Sequence, residues 1–174
     1  MNLDLSLLGW AHSYACLAAM ILGPLSYFQR KGSPPHRGFG RAYLVVMLGV
    51  NLTAFGIYRR HMFWFPHWFA VAALASIGIA FIAARFHWPR AGWMRLHFTA
   101  MLTSYYVLIG GGVNEVFLRV DAIRRIAFPA HTEIVAIAHL SVIAAFVALI
   151  IAENVRRSPR RPRTLAAPPS PTTA

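Results

Sequence analysis

Four histidines lie inside or at the mouths of long apolar runs: His12, His67, His97 and His139. An ionisable side chain in such a run is costly and normally faces the interior of a helix bundle, which makes each a candidate functional group. With Glu115 they form the candidate cofactor site. Neutral imidazoles from separate helices can ligate the iron of a b-type haem, His12 and His139 being the candidate iron ligands. The same residues can hold another metal ion or relay protons. A mechanical alternative stands beside these: each imidazole hydrogen-bonds a neighbouring helix and pins the packing.

Helical spacing says which way some of these side chains face. The stripe around His12 holds Gly9, Ala15, Cys16, Ala19 and Gly23, whereas Trp10, Tyr14, Leu17 and Ile21 lie opposite. Small residues let membrane helices approach closely, so His12 is expected to face the bundle. His139 shares its stripe with Thr132, Val135, Ala136, Ile143 and Phe146, and His67 with Val71, Leu74 and Gly78. His97 and Glu115 are 18 residues apart. In an unbroken helix that puts them on one face, about 27 Å apart along the axis. Glu115 then joins the outer histidines, while His97 lies near His36, Arg37 and Arg41. These last three, in HRGFGR, form a basic turn suited to a phosphate or carboxylate on lipid, quinone or nucleotide, or to simple anchoring at the membrane surface. Asn51, midway along its run, reads as interhelical glue.

The elements that must position these groups are five apolar stretches: Leu5–Phe28, Ala42–Tyr58, His67–Ala84, Leu96–Val113 and Thr132–Ala152. A membrane-crossing helix needs roughly 20 predominantly apolar residues. With 174 residues, 57% hydrophobic and 13% charged, the chain has room for four to six such helices and little else. Pro34, Pro35, Pro66, Pro89 and Pro129 punctuate the connections. The predicted fold is all-α, an integral membrane bundle of about five helices over residues 1–155. A basic, Pro-rich tail over 156–174 has too few apolar residues to fold alone.

Lys and Arg fall unevenly: none precedes the first run, and the following segments hold four, two, three, three and five. Alternate segments thus carry twelve on one side and five on the other. The positive-inside rule then predicts an outside N-terminus and a cytoplasmic C-terminus. The net charge of +12 therefore points to anionic lipid headgroups at the cytoplasmic face rather than to nucleic acid. Cys16 is the one cysteine, so no intramolecular disulfide forms. The first run lacks the basic leader of a secretory signal and is expected to stay as a helix. Trp10, Tyr27, Tyr43, Tyr58, Trp64, Trp68, Trp88 and Trp93 are placed near helix ends as interfacial anchors. No Ser-His-Asp order, Cys pair, HExxH motif or phosphate loop is present.

Over residues 10–120 the chain resembles the bacterial membrane proteins grouped as domain of unknown function 2306. The likeness rests on His12, on Gly23-Pro24 and Gln29, on His36-Arg37 followed by Gly40-Arg41-Ala42-Tyr43, and on Trp93-Met94-Arg95. The chain departs from that pattern where Ala91 and Gly92 precede Trp93. The resemblance implies a multi-pass protein of a bacterial cell membrane and assigns no activity. The residues leave two expectations: a haem or quinone-linked electron-transfer component, or a non-catalytic transporter or accessory subunit with a membrane protein partner.

Overall fold

A computed structural model describes residues 7–57, 65–119, 123, 125 and 132–156. The tail beyond Arg156, and with it Tyr58, Arg59, Arg60, Trp64 and Arg124, lies outside the described residues. Among the described residues five long helices stand out: α1 Leu7–Phe28, α2 Pro34–Gly56, α3 Phe65–Phe86, α4 Trp93–Arg119 and α5 Thr132–Arg156. All five are long and apolar enough to cross a membrane. The chain is a multi-pass membrane protein built as a helical bundle.

Two antiparallel hairpins, α1–α2 and α3–α4, hold the most extensive packing. They meet along α2–α3 and again, more sparingly, along α1–α4, which closes a four-helix ring. Within this frame α5 packs against α4, where Phe146 meets the rings of Tyr105 and Tyr106 at 6.0 and 5.6 Å.

Small and polar groups share the interior with a core of Tyr43, Met47, Val50, Ile77 and Leu108, while many other large apolar side chains point outward. Ala19, Ala73, Ala80, Ala83 and Ser104 are buried, while Leu7, Trp10, Tyr14, Leu17, Ile21, Leu25 and Phe28 make an exposed stripe along α1. In lipid this is the expected sense, because association rests on close backbone approach rather than on hiding apolar surface from water.

Two sequence expectations are revised by where α2 begins. It starts at Pro34, eight residues before Ala42, so HRGFGR is the first two turns of a helix rather than a turn before one. The local chemistry explains the shift. The Ser33 hydroxyl accepts the His36 N–H at 3.4 Å as an N-cap, and Pro34 and Pro35 occupy positions where a missing N–H costs nothing. The tight backbone falls instead at Gly32, with φ +78°. Tyr43 is consequently nine residues inside α2, not at its end, and is 1% exposed. Its hydroxyl donates to Ser104 Oγ of α4 at 3.0 Å, since the Ser104 hydroxyl itself donates to Met101 O at 2.8 Å. This bond spans the diagonal of the ring. Gly110-Gly111-Gly112 does not break α4, which continues to Arg119.

The Gly-Pro pair in α1 has a specific mechanical role. Pro24 has no N–H, so the carbonyl four residues earlier, on Met20, loses its helical donor. The Tyr105 hydroxyl of α4 donates to that carbonyl at 2.9 Å. The ring can approach because Gly23 lacks a side chain: a Cβ there would lie 2.5 Å from Tyr105 Cε2. Tyr105→Phe therefore orphans a carbonyl, and a loss of roughly 1–2 kcal/mol is expected in reversible unfolding of the purified protein. Gly23→Ala should cost about 1–3 kcal/mol by overpacking. Because both changes break one contact, the double variant is expected to lose less than the sum; strict additivity would contradict the assignment.

Candidate functional site

His12 lies half-buried on the inward face of α1, as the small-residue stripe predicts, with Gly9 and Ala19 buried beside it and Trp10, Tyr14, Leu17 and Ile21 exposed. Its Nδ1 is 3.1 Å from Val50 O and 2.9 Å from Thr53 Oγ1, both on α2. A carbonyl can only accept, so Nδ1 carries the proton. Thr53 fits that assignment, because its hydroxyl donates back into α2 toward Gly49 O at 2.8 Å or Val50 O at 2.9 Å. On a neutral ring Nε2 is then an acceptor, and the Cys16 thiol one turn along lies 3.5 Å away to donate to it. Glu115 of α4 is close enough to act on Cys16 electrostatically. His12, Cys16 and Thr53 thus make one polar node between α1 and α2, with Glu115 of α4 on its Cys16 side.

Two further histidines use the same chemistry elsewhere. His97 of α4 donates through Nδ1 to Ala80 O of α3 at 2.9 Å. Ala80 and Ala83 are fully buried there, and their small side chains let α4 come close enough for the imidazole to reach the backbone. His36 donates through Nδ1 to Ser26 O at 3.0 Å, near the end of α1, where the carbonyl otherwise receives only the Gln29 N–H at 3.4 Å. Lys31 covers the same end, donating to Tyr27 O with its ammonium 4.4 Å from the Tyr27 ring centroid. Cationic groups are favoured at a helix C-terminus. Of the expected basic turn, His36 is therefore committed to capping, while Arg37 and Arg41 sit one helical turn apart on α2.

His67, at the start of α3, is 7% exposed and stacks on Phe55 of α2 at 6.2 Å, so the helix mouth does not leave it solvated. His139 is half-buried on α5. Glu115 lies on α4, and the unbroken helix keeps it in register with His97. Asn51 is buried but donates to Met47 O of its own helix at 2.6 Å instead of joining two helices. Among the described residues, no three His, Cys, Asp or Glu side chains gather so as to hold a metal ion. Each of His12, His36 and His97 has committed a ring nitrogen to a backbone carbonyl.

The groups that sequence reasoning did not single out are Thr53 and Tyr105. Thr53 carries no periodic signal of its own. Tyr105 was findable in principle, since a tyrosine hydroxyl in a membrane helix needs an acceptor and Pro24 frees one. The partner of His12 on its own helix was visible as the i, i+4 spacing to Cys16.

No protein-family model, no curated protein and no solved structure matches the chain.

The network fixes a tautomer, and ¹⁵N solid-state NMR of the histidine-labelled protein in bilayers can read it. His12 is expected to show a protonated Nδ1 and an unprotonated Nε2; the reverse assignment would overturn the network. Thr53→Val should cost less stability than His12→Ala, since the Val50 carbonyl remains as acceptor, with both losses within about 2 kcal/mol.

Proposed function

We propose that this chain is a non-catalytic accessory subunit of a membrane assembly, its histidines serving as clasps between helices. The observation that carries the reading is the shared use of Nδ1 by His12, His36 and His97, each donating to a backbone carbonyl of the neighbouring helix at 2.9–3.1 Å. Imidazoles committed in this way hold a geometry and do not move through a reaction cycle. The charge count supports placing the α1–α2 and α3–α4 turns in the cytoplasm of a bacterial cell, with Arg37 and Arg41 against anionic headgroups. Membership of domain of unknown function 2306 belongs to the same proposal. Its supports are Gly23-Pro24, which receives Tyr105, and HRGFGRAY, which caps one helix and opens the next.

One observation favours a second reading, a b-type haem or quinone-linked electron-transfer component. An imidazole whose Nδ1–H is fixed by a carbonyl presents Nε2 in the manner of a metal ligand, and His12 has that arrangement. His139 would supply the second ligand. The two readings separate in a dithionite-reduced minus oxidised spectrum of protein expressed with haem supplied. The accessory reading expects no Soret feature, with His12→Ala and His97→Ala each lowering the thermal midpoint. A Soret band that disappears in His12→Ala and in His139→Ala would establish the second reading and reject the first.

A further inference from the structure

The turn between α3 and α4 combines a hollow with positive charge. The hollow is open, about 360 Å³, and lined by Arg90, Gly92, Trp93, Met94 and Arg95. That volume lies within the range of small-ligand pockets, about 300–1,000 Å³. The turn is held in shape by His87 and Gly92, both in the left-handed region at φ 51° and 88°. The His87 ring sits edge-on to Trp93 at 4.5 Å.

Neither Arg90 nor Arg95 has a carboxylate partner among the described residues. The acid at this end of the bundle, Glu153, is 5% exposed and already bonded to Arg156 at 2.7 Å. Arg156 lies within electrostatic reach of Tyr27 at the end of α1, which fixes the end of the bundle to which α5 returns. Arg30, Lys31, Arg37, Arg41 and Arg85 stand at the same end, so the local field is positive. Guanidinium groups match the oxygen geometry of phosphate through paired N–H donors.

The surroundings of the hollow select a lipid over a soluble anion. Met94, in its lining, is 54% exposed, Phe86 and Trp88 at the end of α3 and in the same turn are 65 and 63% exposed, and Ile82, one turn before Phe86, continues the exposed apolar face down α3 into the span. A headgroup seated between the arginines would leave its acyl chains against that face, where a free phosphate gains nothing. We propose that the α3–α4 turn is a binding site for an anionic phospholipid, its phosphate held by Arg90 and Arg95 and its chains lying along the exposed face of Ile82 and Phe86.

The test uses the full chain purified in neutral detergent and titrated with dioleoylphosphatidylglycerol or dioleoylphosphatidylcholine, read by native mass spectrometry and by thermal shift. Wild-type protein is expected to retain the anionic lipid preferentially. R90Q/R95Q should weaken that retention on the order of tenfold or more, because two guanidinium groups no longer meet the phosphate. R30Q, which removes one charge at the same end of the bundle, should keep most of the preference. Should the double variant fail to fold, R90Q and R95Q singly carry the test, each expected to weaken retention about threefold or more. Selectivity unchanged by loss of Arg90 and Arg95 would overturn the site, as would a loss in R30Q equal to that in R90Q or R95Q, which would mean diffuse attraction. Inorganic phosphate reproducing the full thermal shift at the same concentration would overturn the lipid assignment.

Discussion

In hydrocarbon there is no water to satisfy a backbone carbonyl that has lost its helical donor, and the polar groups of this bundle are arranged around that constraint. A carbonyl inside a helix still has a second lone pair, and a carbonyl four residues before proline or near a helix end has both to offer. The protein directs its strongest interior donors to those positions. Tyr105 goes to the carbonyl freed by Pro24, His36 to the C-terminal end of α1, and His12 and His97 to carbonyls within their neighbours. No buried side-chain nitrogen or oxygen among the described residues is left without a partner.

The donors divide by type. Imidazole nitrogens act within hairpins: His12 and His36 join α1 to α2 near opposite ends, and His97 joins α4 to α3. Tyrosine hydroxyls act between hairpins: Tyr43 crosses from α2 to α4, and Tyr105 from α4 to α1. Reach accounts for the difference. Within a hairpin the backbones are close, and a short ring suffices. Between hairpins the separation is greater, and the phenol carries its hydroxyl about 6.5 Å from the Cα on a rigid ring at low entropic cost.

Much of this architecture was legible in the sequence, because the features that produce it are local. Apolar runs near spanning length marked the helices, and the small-residue stripe around His12 set its orientation. The start of α2 was missed because HRGFGR is polar and glycine-rich and so reads as a loop by composition. The Ser33 cap and the Pro34-Pro35 pair, which decide the matter, were the relevant signals. That one displacement also moved Tyr43 from an interfacial position to the interior. The partners of the candidate residues were harder to read for a different reason. Their acceptors are backbone carbonyls, and a carbonyl leaves no mark in the sequence except where a proline removes its donor.

That asymmetry bears on how intramembrane histidines should be interpreted. A histidine that ligates a metal needs other ligands, whose side chains are visible in sequence, whereas one that pins a helix needs only a carbonyl and a small residue to expose it. Here the small residues are present: Ala19 and Gly9 beside His12, Ala80 and Ala83 opposite His97. The imidazoles and the alanines are parts of one device, since enlarging the alanine would move the neighbouring helix beyond the reach of the ring. A histidine facing a small-residue stripe thus has a sufficient mechanical explanation before any cofactor is invoked. His12 exceeds that explanation in one respect, because its Nε2 is turned toward the Cys16 thiol, 3.5 Å away. Its second nitrogen therefore has a defined polar neighbour, which makes His12 the residue at which clasp and chemistry can coincide.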